Sequence, residues 1–504
     1  MSESRIIAHG AAYMLSSSLV FNLFSLAFYI TIVRLLPPDT LGVFYSLTIV
    51  LTFATTFALL SLPAGFGRFM TAAAQTDKIE EARYLFRRGI LAAGGIMIVT
   101  TPILILLSPM LSVWLFSSTG FTSLLYLVTI DFAIFVLNSF LVLPLSATRR
   151  FASLGILQVL YGAIRFGFAI ALVLLGVGLP ALIYGWIVSD IFYLGAYAYL
   201  SIPFFKGSER RTSLRDILPY SLPLFISSGI VLALQNVDRL FVLKYLGLAA
   251  LGVYGTILIA SGIPQLLPTA VGNALFPAMM KAEHLENLPK EFVTKAIRYI
   301  SIITIPLLGL VASLGKPFIQ VLLGSNISFA WVSFAVLTLG NAAMCPDIPL
   351  GQVLAAKKAT RIIGIQQIVS GGCLAGFAIL LIPPFFLTGA ALAYVLARVA
   401  GFAFILPFLY RFGYFNVEWE EYGKIIASTV VTAAATIIAE TLTGFSSYLL
   451  PGYLVFGGVI LVVSARLFGV LRAEDYDVIL DAVPLSLRPL GRSIWKLMRL
   501  PQPG

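Results

Sequence analysis

Arg34-Leu-Leu-Pro-Pro-Asp-Thr-Leu-Gly-Val-Phe44 aligns without gaps, at an offset of 210 residues, to Lys244-Tyr-Leu-Gly-Leu-Ala-Ala-Leu-Gly-Val-Tyr254. Each segment follows the first apolar run of a set of six, so the chain reads as a duplication. An even number of membrane crossings between the copies gives both the same orientation. This is the parallel-repeat arrangement, with a pseudo-two-fold axis along the membrane normal. Two such lobes facing each other enclose a central cavity, and rocking one against the other gives alternating access.

Outward from the repeat, apolar stretches fill nearly the whole chain. They fall at 10–33, 41–62, 89–115, 121–146, 152–176, 179–204, 217–243, 249–275, 299–315, 328–355, 362–382, 387–410, 424–443 and 448–465. Each is long enough, or nearly so, for a hydrocarbon core that takes about 20 helical residues. The ninth is short, because Lys316–Pro317 interrupts it. The composition is 59% hydrophobic and 11% charged, with mean hydropathy +0.98. Soluble domains carry about 25% charged residues. Segments this long and continuously apolar lack the strand alternation of an outer-membrane barrel. The expectation is an all-α polytopic protein of fourteen transmembrane helices. Its parts are a six-helix lobe at 1–216, a second at 217–411, an added two-helix hairpin at 412–470 and a cytoplasmic tail at 471–504.

Lys and Arg sort by side. Of 33, 27 fall at the two termini or in alternate loops, three (Arg34, Lys244, Lys316) lie on the opposite side, and three lie inside spans. The positive-inside rule then places both termini in the cytoplasm of a cell (plasma) membrane protein. Basic cytoplasmic loops against anionic lipid account for the net charge of +11 without a nucleic-acid partner. The first apolar run is too long for a cleaved signal and reads as a retained anchor. Cys345 and Cys373 both lie in spans, and His9 and His284 are the two histidines, so no disulfide, metal site or other cofactor is expected. No glycine-rich nucleotide cradle occurs. Outer loops of only a few residues leave no room for an extracellular active site, and no nucleophilic or acid–base set is arranged, so the chain is not expected to be an enzyme. Ser493-Ile-Trp-Lys-Leu-Met-Arg-Leu500 is a basic amphipathic stretch suited to a membrane surface.

The repeat segment Arg34–Phe44 resembles the stretch that closes the first helix in the polysaccharide transporter family. Those proteins are lipid-linked oligosaccharide flippases within the multidrug/oligosaccharidyl-lipid/polysaccharide exporter superfamily. Tyr220-Ser-Leu-Pro-Leu-Phe-Ile-Ser-Ser228, Gln235-Asn-Val-Asp-Arg-Leu240, Leu246–Tyr254 and Leu275-Phe-Pro-Ala278 match as well. The resemblance implies a V-shaped, two-lobed transporter. Its cargo would be an isoprenoid-(pyro)phosphate-linked glycan, moved from the cytoplasmic to the outer leaflet for cell-surface polysaccharide or glycoprotein assembly. Peptidoglycan lipid II flippases are a poorer match: they carry a cationic cluster in the first helix, where this chain offers only Asn22.

An ionisable group inside a span costs about 2.5–3.5 kcal/mol to insert, which makes such groups site candidates. Arg165 and Arg398, one per lobe, are the expected cavity cations, with Arg239 and Arg68 nearer the two mouths. Guanidinium groups contact phosphate oxygens in pairs and keep their charge at any pH. Asp131, Asp190, Asp238 and Asp347 are read as ion-coupling groups or as charge partners, for example Asp190 for Arg165. Asn22, Gln235 and Asn236 supply polar cavity surface. Asp347 lies within Cys345-Pro-Asp-Ile-Pro349, which either breaks the helix around a cation site or forms a hinge that Asp347 caps. Arg34 and Lys244 are read as snorkelling anchors. The partners are the lipid-linked glycan and membrane lipids, with glycan polymerase or glycosyltransferase machinery a further option, and a monomer is sufficient for transport. The competing readings are a cation-coupled multidrug exporter of the same superfamily and an integral-membrane glycosyltransferase. The latter would need acidic residues in a large outer loop.

Overall fold

The computed structural model describes residues 3–207, 215–262, 265, 290–356, 359–413, 419–444 and 447–470. Among them every regular element is helical. In lipid the backbone has no water to bond, so each apolar run satisfies its own N–H and C=O groups as a helix. Among the described residues twelve helices are long and apolar enough to cross a membrane, and the chain is a multi-pass membrane protein. The tail with its amphipathic stretch, and Leu275–Ala278, lie outside the described residues.

Two compact units divide the chain, Met1–Gly255 and Thr256–Gly504. The first opens with α1 (Glu3–Leu35), α2 (Pro38–Leu59), α3 (Leu62–Gln75) and α4 (Ile79–Phe116). It continues with α5 (Thr122–Leu141), α6 (Phe151–Leu174), α7 (Pro180–Leu200), α8 (Ile217–Gln235), α9 (Val237–Leu246) and the start of α10 (Leu248–Gly262). α6 packs between α1 and α7, α5 packs on α4 and α7, and α3 packs on α8.

The repeat explains two of the helix breaks. In the first copy Pro37 is extended and Pro38 starts α2 with its φ already helical. In the second copy the equivalent of Pro37 is Gly247, whose φ of +85° suits a residue without Cβ and ends α9. α2 is buried all round from Leu41 to Leu47, as a helix inside a bundle must be. By contrast α4 turns Leu91, Ile98 and Leu106 outward, the last 79% exposed, which is the face a helix shows to lipid. At 38 residues α4 is about 57 Å long, nearly twice the hydrocarbon thickness. Its first turns carry Arg83, Arg87 and Arg88 and so extend beyond the bilayer.

The second unit contains α11 (Lys290–Ser313), α12 (Trp331–Ala343), α13 (Asp347–Ala356), α14 (Thr360–Arg411), α15 (Trp419–Thr443) and α16 (Leu450–Leu467). The sequence places two crossings, 362–382 and 387–410, where α14 runs as one element. Phe386 breaks it, with φ +52° and ψ −129° just after Pro383-Pro384. A Cβ on Gly389 would sit 1.9 Å from the Leu381 carbonyl oxygen. In an unbroken helix those residues stand about 12 Å apart along the axis. The chain therefore turns back on itself at Phe386, and α14 is an antiparallel pair. We expect Gly389→Val to cost at least about 1–3 kcal/mol, as over-packing of a filled interior does. The effect should appear as a lower melting temperature in detergent, and an unchanged Tm would show a slack turn.

Hydroxyl groups tie α15 to both α11 and α16. Ser301 lies 2.9 Å from the Tyr422 hydroxyl, Ser313 2.9 Å from Thr436, and Ser428 2.8 Å from Ser464. A Cβ on Gly309 would stand 2.2 Å from Thr429, so α11 and α15 approach through that glycine. Arg298 adds an ion pair to Glu421 at 3.6 Å and donates to the Val470 carbonyl at 3.1 Å. In lipid, where apolar faces gain little by meeting, such bonds contribute about 0.6–2 kcal/mol each.

Candidate functional site

The first unit holds a charged cluster deep among its helices. Asp131 of α5 and Asp190 of α7 are 1% and 2% exposed, and their carboxyls lie within hydrogen-bonding reach of each other. Asn138, two turns along α5, donates from Nδ2 to the Asp190 carboxylate at 3.2 Å and to its carbonyl at 2.9 Å. Two further acceptors of the cluster, Asp131 Oδ1 and Asn138 Oδ1, are buried and have no protein donor.

Arg165 of α6 donates to the Tyr161 hydroxyl, and its guanidinium lies 5.5 Å from the Tyr161 ring centre and 5.3 Å from that of Trp186. Both carboxyls are within its electrostatic reach, yet neither comes within ion-pair distance of it. With both acids ionised, this group of two carboxylates and one guanidinium carries one excess negative charge.

Arg239 and Arg398 have different surroundings. Arg239 Nη1 donates to Asn236 Oδ1 at 3.3 Å, and Asn236 is itself held by a bond to the Leu232 carbonyl. Its neighbour Asp238 is fully buried and accepts from the Tyr254 hydroxyl at 2.7 Å, so the adjacent pair divides between two partners. In the second unit Arg398 Nη1 donates to Asn341 Oδ1 at 2.8 Å, while Asn341 Nδ2 donates to the Ser261 carbonyl. Asp347 is within electrostatic reach of Arg398 but accepts from Gln366 at 3.1 Å. Each of these arginines is thus aimed by a neutral amide rather than neutralised by a bonded carboxylate. Arg68 is exposed, with its guanidinium 4.3 Å from the centre of the Tyr220 ring, and Asn22 and Gln235 are also exposed.

Two participants escape a search for charges, Asn138 and Asn341, and one buried acid, Glu440, is not among the residues expected from the sequence. The asparagines are neutral and occur singly in apolar runs. The one signal they give is an amide in a place where an unpaired amide is costly. Glu440 lies near the end of its span but is 2% exposed, with Lys316 in electrostatic reach. No group of three or more His, Cys, Asp or Glu suited to a metal ion occurs among the described residues.

The solved structures that resemble this helical membrane bundle show the fold it shares with them. Lipid II flippase MurJ in an inward closed conformation gives a TM-score of 0.64 at 14% identity, covering 88% of this chain and 99% of that one. A multidrug resistance MATE family transporter of the MOP superfamily, inward-facing, gives 0.58 at 17% identity, covering 80% and 98%. Among curated proteins, the probable flippase AglR of Haloferax volcanii is 25% identical over 345 residues, 66% of this chain and 70% of that protein. These likenesses show a fold shared with flippases and other membrane transporters. The chain belongs to the polysaccharide biosynthesis protein family, whose sequence model matches residues 31–331.

Proposed function

We propose that the protein is a lipid-linked oligosaccharide flippase. It carries an isoprenoid-(pyro)phosphate-linked glycan from the cytoplasmic to the outer leaflet by alternating access, for cell-surface polysaccharide or glycoprotein assembly. The observation that carries this reading is Arg398. Its guanidinium is held by Asn341, and its remaining N–H groups have no protein partner among the described residues. An oriented, partly unsatisfied guanidinium within a membrane bundle fits a phosphate that must leave water. Arg239, with Asn236, is its counterpart in the first unit, and Arg68 on Tyr220 supports a first encounter at the mouth. Fourteen crossings, lobes at 1–216 and 217–411, an added hairpin at 412–470, and cytoplasmic termini belong to the same reading.

Arg165 takes a different role in it. Asp131, Asp190 and Arg165 form a coupling group whose excess negative charge is offset by a proton or small monovalent cation. Export of an anionic head group also gains about 2.3 kcal/mol per charge per 100 mV from an interior-negative membrane. That acidic pair favours a second reading, a cation-coupled drug exporter, since an acidic interior suits a cationic cargo.

One experiment separates the two. In a depletion strain, a membrane-impermeant sugar-modifying probe reports which leaflet holds the lipid-linked glycan. Accumulation on the cytoplasmic leaflet, reversed by the wild-type chain, supports the flippase. An unchanged distribution in a strain without a second flippase moves drug export to the front.

A further inference from the structure

The two copies of the repeat touch each other in a contact that reads the same in both directions. Within the first unit, a Cβ on Gly42 of α2 would stand 2.0 Å from the Leu248 carbonyl oxygen of α10. A Cβ on Gly252 of α10 would stand 2.0 Å from the Pro38 carbonyl oxygen of α2. At the offset of 210, Pro38 corresponds to Leu248 and Gly42 to Gly252. Residue and partner exchange places across the contact, as in an isologous two-fold interface, here within one chain.

One turn further on, a Cβ on Gly255 would stand 2.6 Å from the Tyr45 ring, and these two positions are each other's counterparts. A position that meets its own copy cannot hold a bulky side chain twice. One copy supplies the ring and the other supplies the space. Both helices are buried without interruption here, from Leu41 to Leu47 and from Leu251 to Ile257.

The chemistry of this contact suits something made and broken repeatedly. Backbone meets backbone at the glycines, held by close packing and weak Cα–H···O contacts. Such contacts vanish together once the helices separate. Arg34 and Lys244 mark this end of both helices, the outer end in the orientation proposed above.

We propose that the Gly42–Gly252 crossing is a reversible seam that shuts the substrate path at the Arg34/Lys244 end while the opposite end loads, and parts to release cargo. This rests on the alternating-access reading of the function. Larger side chains at either glycine hold the seam open, and a covalent link across it holds it shut.

Spin labels test the first consequence. The full chain carries Cys345→Ala and Cys373→Ala, with labels at Asp39→Cys and Ala249→Cys, exposed counterparts beside the seam. The otherwise unaltered chain should give a population at short separation. Gly252→Val should abolish that population, and the milder Gly42→Ala should reduce it while leaving a monodisperse protein. An identical distance distribution in both variants overturns the proposal. A short bis-thiosulfonate reagent, which bridges the same two cysteines through disulfides and releases sulfinate, should stop transport, with full recovery on reduction; wild-type transport by the cross-linked chain overturns it too. The distance measurement needs no substrate. A chain that shows the seam opening but flips no glycan refutes the functional reading and leaves the seam standing.

Discussion

Arg398→Gln should reduce flipping of the lipid-linked glycan to near background, while Arg398→Lys should retain part of it. The glutamine side chain keeps a polar tip for Asn341 but carries no charge to meet a phosphate. Losing one partner of a desolvated, hydrogen-bonded charge pair costs about 2–5 kcal/mol, on the order of 30-fold to several-thousand-fold in affinity. Lysine restores the charge but not the planar fork that holds one donor on Asn341 and presents others to cargo. The measurement is transport in vesicles reconstituted with purified protein, beside a melting curve for each variant. Unchanged transport by the glutamine variant, with Arg239→Gln inactive, would move the phosphate site to the first unit. A fall in Tm that tracks the loss in rate would make Arg398 a structural residue.

Asp131→Asn should leave the protein at least as stable as the parent while removing the response of transport to an ion gradient. The argument is one of charge. Asp190 is engaged by Asn138 and suffices to balance Arg165, whereas Asp131 presents a buried oxygen with no donor. A carboxylate inside a span carries an insertion cost of about 2.5–3.5 kcal/mol on translocon scales, so its removal should relieve the fold. What is lost is the excess negative charge that a proton or sodium ion would offset. Transport driven by an imposed pH or sodium gradient should then fall to the rate seen without one. A variant that still follows the gradient, or that melts well below the parent, would make Asp131 part of the scaffold. Asp190→Ala should be harsher and less informative, because it also removes one of the Asn138 amide's two acceptors, leaving only the backbone carbonyl of residue 190.

Much of the architecture is legible in the sequence because lipid is an exacting solvent. Continuous apolar runs have to be helices, Pro383-Pro384 marks the reversal within α14, and the offset of 210 residues pairs two stretches that open helices, α2 and α10. The candidate site is legible only in part. Arg165, Asp131 and Asp190 stand out as charges in spans, yet whether Arg165 meets a carboxylate depends on helix rotation, which hydropathy does not encode. Arg398 and Arg239 likewise stand out, while the residues that aim them, Asn341 and Asn236, differ in no obvious way from other isolated amides. Gly42 and Gly252 are visible as matching letters. That each touches the other copy's backbone is a fact of packing, and no pattern within either helix announces it.

The hydroxyl groups linking α11 to α15, and α15 to α16, bear on how the chain is made. Synthesis delivers α11 to the membrane long before α15 and α16 emerge from the ribosome. Until they arrive, Ser313 has only its own helix turn to bond, Ser301 has its turn and the Cys345 thiol, and Gly309 leaves a notch open to lipid. The last two helices therefore cap a surface that has been waiting, and their docking marks completion of the second unit. A nascent chain stopped after Arg411 would present that unfinished face to the quality-control proteases of the membrane. Its lifetime in a pulse-chase experiment should be short, even though every residue assigned to cargo has already been made.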